Sequence, residues 1–268
     1  MHHFGVEVSW KVPTGKTEME FRDMQCEEDR IVSSVSIHTY THAEGTVNLH
    51  FVSFSEDTVI VTGFGPFGDH KINASWETVK LLPSLNIEEE FGVKLIIHEI
   101  PVTYDYVAEN VPMLWKEHEP MLVVHVGVSS LASGLTLEVQ AHRSGYCRQD
   151  TQGKVPPRNE ISSGKAEVIQ PLFDVEDVCK AVHKSNIRVP TCCSADAGRY
   201  LCEFTYFTSL NIDNLRTAFI HVPVLNKPYS AADLAEGIKA ILRVLIQQLR
   251  ARQQDNCLNN DVCSVKSV

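Results

Sequence analysis

The sequence predicts an α/β fold with three layers, α/β/α, built around a largely parallel central sheet. From residue 58 onward, apolar runs alternate with segments of helical pattern, and this alternation is typical of parallel strands joined by helices. The apolar runs are continuous, as expected for strands that are covered on both faces. In folds of this kind, functional sites lie beyond the carboxyl ends of the strands.

Four strands and five helices follow from this pattern. The predicted strands are 59–64 (VIVTGF), 94–102 (KLIIHEIPV), 121–128 (MLVVHVGV) and 218–224 (AFIHVPV). The predicted helices are 75–82, 105–117, 175–184, 198–210 and 230–250. The last helix has the clearest pattern, because Ser230 and Asp233 form a capping pair and apolar residues recur on one face. We interpret that apolar face as core packing.

The chain divides into three parts. Residues 58–250 carry the α/β pattern and form the main predicted domain. Residues 1–57 hold four Lys or Arg against ten Asp or Glu, with scattered apolar residues, so we expect a poorly ordered N-terminal extension. Within it, the segments RIVSSVSIHTY and TVNLHFVSF could pair as strands. Residues 251–268 are polar and predict a mobile C-terminal tail, whereas the Gly-, Pro- and Ser-rich stretch 143–170 predicts a long surface excursion.

Composition and charge argue against several classes of function. The formal net charge of -10 disfavours nucleic acid or an anionic membrane surface as the main partner. We expect a cytoplasmic protein, because no apolar run is long enough to span a membrane and the first 30 residues lack a secretory pattern. The eight cysteines are therefore expected to be thiols. No CxxC pair or HExxH motif is present, so we expect no metal site.

A glycine-rich segment, GFGPFG, follows the first predicted strand with the spacing Gly63-x-Gly65-x-x-Gly68. This spacing matches a dinucleotide-binding loop, but Pro66 lacks an amide donor, and two aromatic side chains occupy the space that phosphates would need. No predicted strand ends in an acidic residue about 20 positions later, where the partner of the ribose is expected. Phe64 and Phe67 are better suited to a flat, neutral ligand than to an anion.

Three kinds of side chain in the main domain could perform chemistry. Cys202 is predicted near the start of a helix, where the helix field favours a thiolate. Ser194 and Asp196 could cap that helix, and Gly198 could allow a tight turn into it. His221 and His125 both lie in apolar strands, and position alone does not choose between them. The Glu138 carboxylate could orient an imidazole or face solvent. Each residue taken singly is also compatible with a purely structural role.

Taken together, several stretches resemble the pyroglutamyl-peptidase I family, also called pyrrolidone-carboxylate peptidases, and the match is close to its animal members. These stretches are VIVTGFGPFGDHKINASWETVKLL, EIPVTYDYV, LVVHVGVSSLASGLTLE, SADAGRYLCEFTYFTSL and AFIHVPVLNKPY, and they span about residues 58–250. The resemblance implies an α/β/α cysteine peptidase, an omega-peptidase that removes N-terminal 5-oxoproline from small peptides without a cofactor. It places the catalytic thiol, imidazole and carboxylate at Cys202, His221 and Glu138, and the aromatic walls of the pyroglutamyl pocket at Phe64 and Phe67.

Two other functions are compatible with parts of the pattern. Nucleoside phosphorylases share the architecture, so a purine could stack between the two phenylalanines, although phosphate-binding arginines are missing near the glycine-rich loop. A second alternative is a catalytically silent protein that binds pyroglutamyl peptides, with its pocket blocked by the N-terminal extension. Backbone amides near Cys202, or Arg148, are the candidate oxyanion donors. The sequence does not determine the oligomeric state.

Overall fold

The computed structural model describes residues 36–41, 47–52, 57–68, 71–185 and 187–264, and side chains are described for residues 57–254 within these ranges. The chain forms two compact units, residues 1–57 and residues 58–268. In the first unit, strands β1 (Ser36–Thr41) and β2 (Val47–Val52) pair in antiparallel register. The predicted strand pairing is therefore confirmed. The rest of the predicted N-terminal extension lies outside the described residues.

The second unit is built on a six-stranded sheet with the order β4-β3-β5-β10-β6-β9. Its strands are β3 (Thr58–Phe64), β4 (Lys94–Ile100), β5 (Leu122–Val128), β6 (Leu135–Glu138), β9 (Thr191–Ser194) and β10 (Thr217–Val222); a separate pair is formed by β7 (Ala141–His142) and β8 (Val168–Ile169). All neighbours in the large sheet are parallel except β10 and β6, which are antiparallel. The predicted α/β fold with a largely parallel sheet is confirmed.

Six α-helices surround this sheet in the described part of the chain. They are α1 (Ala74–Val79), α2 (Ile87–Phe91), α3 (Tyr104–His118), α4 (Val175–Lys184), α5 (Leu201–Ile212) and α6 (Ala231–Ser264). Short 3₁₀ turns lie at Leu82–Leu85 and Pro157–Asn159. Ser230 and Asp233 cap α6 reciprocally, as predicted, since the Ser230 amide donates to the Asp233 carboxylate at 2.9 Å and the Asp233 amide donates to the Ser230 hydroxyl at 3.2 Å.

The two faces of the sheet are covered by different helices because neighbouring residues on a strand point to opposite sides. Val59 and Val61 pack with α1, α2, α4 and α6 in one apolar cluster, whereas Ile60 packs with α3 and α5 in a second cluster. The β10 residues Ile220 and Phe219 separate in the same way. These two clusters produce the predicted three layers. The apolar face of α6 lies in the first cluster and is core, as interpreted from the sequence.

Several element boundaries differ from the predictions by a few residues, and two of these differences change the description of the chain. Helix α5 begins at Leu201 rather than near residue 198, because Gly198 has a φ of 78°, outside the helical region. Helix α6 continues past residue 250 to Ser264. Much of the segment predicted as a C-terminal tail is therefore helical, while residues 265–268 lie outside the described residues. Its mobility stays a prediction.

The stretch 143–170 is not wholly a surface excursion. Its Tyr146 ring is fully buried and packs edge-on against Tyr104 of α3 and Phe204 of α5, with centroid distances of 6.3 and 5.2 Å. At its base, β7 pairs with β8 through Ala141 and Ile169. A single aromatic residue in a polar stretch carries no period, so the sequence pattern did not reveal this anchor. Within the described chain, no helix combines the length and hydropathy that crossing a membrane requires.

Candidate active site

Three elements bring Cys202, His221 and Glu138 together at one end of the sheet. Cys202 is the second residue of α5, which covers one face of the sheet, and Glu138 is the last residue of β6. His221 lies one residue before the end of β10. The antiparallel register pairs Ile220 with Leu137, so Glu138 is a diagonal neighbour of His221 on the adjacent strand. Side chains from three separate parts of the chain therefore converge.

The His221 imidazole is held in one orientation by Glu138. Its Nδ1 lies 2.7 Å from Glu138 Oε1, and because a carboxylate only accepts hydrogen bonds, Nδ1 is the donor. Both side chains are buried. Burial by itself would lower the pKa of His221, but hydrogen bonds and charge attraction from Cys202 and then Glu138 outweigh it and raise the pKa to about 9. The surroundings of His221 therefore favour its imidazolium form beside Cys202.

The thiol of Cys202 lies in the first turn of α5, where backbone amides point away from the helix without intrahelical acceptors. The first intrahelical bond runs from the Phe204 amide to the Tyr200 carbonyl at 3.0 Å. The predicted capping of this helix by Ser194 or Asp196 is wrong. Tyr200 is the N-cap residue and makes no side-chain capping bond within the described chain, while Asp196 instead accepts from the Gly198 amide at 3.1 Å. The amides of the first turn are thus left available to an anion.

Gly127 makes room for the thiol. It lies opposite His221 in the parallel pairing of β5 with β10. A Cβ at this position would come within 2.7 Å of Cys202 Sγ and 2.9 Å of the Phe219 ring, which are distances that real Cβ atoms do not reach. Sequence reasoning missed this residue, although a glycine inside a buried strand is a known sign of close approach by another group.

A cavity lies between Cys202 and the two phenylalanines of the glycine-rich loop. It is partly open to solvent and is lined by Phe64, Phe67, Asn73, Val102, Val128, Tyr200, Leu201 and Cys202. Phe64 is buried, Phe67 is half-buried, and the Phe67 and Tyr200 rings are 6.4 Å apart. The Asn73 amide donates to the Gly65 carbonyl at 2.8 Å and so holds the glycine-rich loop in shape. Sequence reasoning missed Asn73 and Tyr200.

His125 has different hydrogen-bond partners from His221, and its hydrogen bonds in the described chain reach neither the thiol nor the carboxylate. Its two ring nitrogens each lie 2.7 Å from a hydroxyl oxygen, Nδ1 from Thr62 and Nε2 from Ser209. Complete burial lowers the pKa of His125 to about 3, so the ring stays neutral. The structure therefore separates two histidines that the local sequence left equivalent. His221 has the carboxylate and the thiol, and His125 has two hydroxyls.

A buried ionic cluster, not anticipated from the sequence, anchors the start of α5. Glu203 directly follows Cys202 and is fully buried. Its carboxylate accepts from Arg199 at 2.7 Å and from His142 Nδ1 at 2.8 Å. Burial raises the pKa of Glu203 despite the opposing effect of these two donors. The Arg148 guanidinium lies over the Tyr200 ring at 4.3 Å, next to the cavity wall.

A thiol at a helix start, beside an imidazole that is oriented by a carboxylate, is the arrangement of a cysteine hydrolase. In the part of the chain that the structure describes, no cluster of His, Cys, Asp or Glu is suited to hold a metal ion. The comparisons with known proteins agree with this class. The family model for pyroglutamyl peptidase matches residues 57–243. This chain belongs to the pyroglutamyl peptidase family.

Individual relatives cover most of the chain. Pyroglutamyl-peptidase 1 of Rattus norvegicus is 43% identical over 197 residues, which are 74% of this chain and 93% of the relative. Pyroglutamyl-peptidase 1 of Homo sapiens is 44% identical over 191 residues, covering 71% and 90%. A mutant pyrrolidone carboxyl peptidase from the hyperthermophile Pyrococcus furiosus superposes with a TM-score of 0.64 at 25% identity, over 72% of this chain and 99% of that one. The family resemblance is confirmed, and neither alternative function is favoured.

Proposed function

We propose that this protein hydrolyses the bond that follows an N-terminal pyroglutamyl residue in small peptides, with Cys202 as nucleophile, His221 as acid and base, and Glu138 as the orienting carboxylate. One observation carries the assignment of roles: the Glu138–His221 hydrogen bond of 2.7 Å lies beside a thiol that shares a cavity with Phe64 and Phe67. The names of the relatives and the family model support the substrate class. Free thiols and an acidic composition support a cytoplasmic location.

The first half of the reaction begins from a thiolate and an imidazolium. Cys202 Sγ attacks the pyroglutamyl carbonyl carbon, and the carbonyl oxygen becomes an oxyanion. The first-turn amides of α5, those of Leu201 and Cys202, are the proposed donors to this oxyanion, because they are free of intrahelical bonds and lie at the positive end of the helix. His221 then donates its Nε2 proton to the departing amine, and a thioester remains on Cys202.

Hydrolysis of the thioester needs His221 to change from acid to base. Its raised pKa depends in part on the negative charge of Cys202. Once the sulfur is acylated, that charge is gone and the pKa of His221 falls, which makes the neutral imidazole able to take a proton from water. The resulting hydroxide attacks the thioester, pyroglutamate leaves, and Cys202 returns as a thiolate. Glu138 keeps Nδ1 protonated throughout, so Nε2 stays directed at the reacting atoms.

Recognition of the lactam ring follows from the walls of the cavity. A flat, uncharged ring gains free energy by stacking on Phe67 and packing against Phe64 and Tyr200. None of the cavity-lining residues in the described chain is a carboxylate. A peptide with a free α-amine would therefore bury an unpaired ammonium group, which is strongly unfavourable. The cavity is expected to accept pyroglutamyl peptides and to reject their glutamyl and prolyl counterparts.

The test compares fluorogenic amides of pyroglutamate, proline and glutamate with the full-length protein. We expect release from the pyroglutamyl amide, with rates for the other two at least about 100-fold lower because each places a charge in the cavity. Iodoacetamide and Cys202→Ser should each abolish release. Cys147→Ser, which changes an exposed thiol, is the matched control and should retain full activity. Ordinary activity in Cys202→Ser, or equal rates on the prolyl amide, would contradict the proposal.

A further inference from the structure

Two thiols outside the active site face each other at the edge of the sheet. Cys179 lies in α4 and Cys193 in the edge strand β9, and their sulfur atoms are 3.2 Å apart. This separation is shorter than an ordinary van der Waals contact. The assigned catalytic chemistry does not use either residue. Their pairing is visible only in the fold, because 13 residues separate them in the sequence.

The contact between these thiols is held by the elements around them. The Thr191 hydroxyl donates to the Cys179 carbonyl at 3.2 Å, which ties β9 to α4. The Cys193 thiol also points at the Val175 carbonyl of α4, at 3.8 Å. The neighbouring Cys192 extends to the other face of the strand, where its sulfur lies 3.4 Å from the Thr136 hydroxyl. The structure therefore gives Cys179 one near thiol partner on β9, Cys193, although two cysteines are adjacent in the sequence.

We propose that Cys179 and Cys193 are a thiol-oxidation site at which hydroperoxides form a reversible disulfide, independent of the hydrolytic site. Cys193 is exposed, so its thiolate attacks the peroxide oxygen, giving a sulfenic acid and releasing water or an alcohol. The Cys179 sulfur then attacks the Cys193 sulfur, the S–O bond breaks, and a second water leaves. The two thiols lose two electrons and two protons, and the peroxide accepts them. An external thiol reverses the step by exchange.

The order of the two cysteines follows from their surroundings. Cys179 is half-buried, and burial together with the neighbouring Cys193 raises the pKa of its thiol. Cys179 is therefore a poor first target for a peroxide in solution, but it needs to move only about 1 Å to reach a disulfide separation of about 2 Å. Formation of the bond closes a loop of about 15 residues and links α4 to β9 covalently.

The closed loop should stabilise the folded protein. Cross-linking a loop of about 15 residues restricts the unfolded chain enough to raise the melting temperature of a domain of this size by about 6 to 12 °C. Because β9 pairs with β6 next to Glu138, the stabilised strand also supports the active-site wall. The oxidised protein should melt at the higher temperature, and treatment with dithiothreitol should restore the original value.

The experiment treats the full-length protein with an equivalent of hydrogen peroxide, alkylates the remaining thiols, and maps the products by mass spectrometry. We expect a peptide with Cys179 joined to the peptide VPTCCSADAGR, together with the rise in melting temperature. Cys179→Ser and Cys193→Ser should each abolish both signals. Cys192→Ser is the matched control, since it removes the adjacent thiol on the other face of the strand, and it should retain both signals.

Three results would overturn the inference. The first is free, alkylated Cys179 in protein whose Cys147 or Cys202 has already been oxidised. The second is a vicinal bond between Cys192 and Cys193 in place of the proposed one. The third is loss of the cross-link in Cys192→Ser but not in Cys193→Ser. None of these readouts depends on peptidase activity, so the inference and the proposed function fail separately.

Discussion

Replacement of Glu138 by glutamine tests how the carboxylate acts on His221. Glu138→Gln keeps the size of the side chain and an oxygen that can accept from Nδ1, but it removes the negative charge 2.7 Å from the imidazole. The second carboxylate oxygen, Oε2, is buried and has no hydrogen-bond partner among the described residues. The variant places an amide group there, so we also expect a loss of about 1–3 kcal/mol in the free energy of unfolding.

The magnitude follows from the pKa of His221. Cys202 and Glu138 together raise this pKa from 6.5 to about 9 against the effect of burial. Loss of one close opposite charge lowers a pKa by about 1–3 units, which corresponds to about 1.4–4 kcal/mol of imidazolium stabilisation. If that stabilisation is needed in the transition state, kcat/KM should fall by about 10-fold to 1,000-fold. The high-pH limit of activity should also move down by about 1–3 units, because the imidazolium loses its proton earlier.

The assay measures kcat/KM for a fluorogenic pyroglutamyl amide from about pH 5 to about pH 10. The rate of Cys202 alkylation by iodoacetamide over the same range gives a second readout of the thiolate–imidazolium pair. Glu109→Gln, the same chemical change at an exposed site on α3, is the control and should leave both profiles unchanged. A lower rate with an unmoved high-pH limit would refute the electrostatic reasoning and indicate a purely structural role for Glu138.

Three further predictions address neighbouring features. Gly127→Ala should lower kcat at least about 10-fold and reduce the free energy of unfolding by about 1–3 kcal/mol, because the new Cβ would displace Cys202 Sγ. An active, stable variant would contradict this prediction. The buried, neutral His125 has a pKa of about 3 in the folded protein, against 6.5 for a free histidine, so the unfolded state binds more protons below pH 6.5. The free energy of unfolding should therefore fall by on the order of 5 kcal/mol between pH 6.5 and pH 3. Urea titrations of His125→Gln should show a smaller loss over the same pH range. Glu203→Gln should reduce the free energy of unfolding by about 1–3 kcal/mol, since Arg199 loses its buried partner, whereas exposed Glu176→Gln should change it by less than about 0.5 kcal/mol.

The parts of the fold that the sequence revealed are the ones with a strong local pattern. The strands β3, β4, β5 and β10 are continuous apolar runs, and each was predicted within a few residues. The strands β6 and β9 were missed, because four residues such as LTLE or TCCS carry too little pattern to be distinguished from loop. The missed β6 is the strand that carries Glu138. From the sequence, Glu138 was therefore identified as a candidate, but the strand that positions it was not predicted.

The residues of the candidate site lack a strong local pattern and could not be selected by such a pattern. Cys202, His221 and Glu138 each looked compatible with a structural role, and family resemblance rather than local pattern selected them. The structure distinguishes His221 from His125 by their partners, a carboxylate and a thiol in one case and two hydroxyls in the other. The carboxylate and the two hydroxyls lie more than 60 residues away in the chain from the histidines that they contact, so no local pattern can contain them.

By itself, the sequence determined the α/β class, the alternation of strands and helices, and membership of a family through long, unusual segments such as GFGPFG. These properties depend on near neighbours in the chain, because a strand buried on both faces, or a helix buried on one face, has a characteristic short-range pattern of apolar residues. Tertiary structure alone decided that Gly127 gives space to the thiol, that Glu203 is buried beside it, and that Cys179 meets Cys193. Each of these depends on packing between distant elements, and the distance between two side chains is a property of the packed fold.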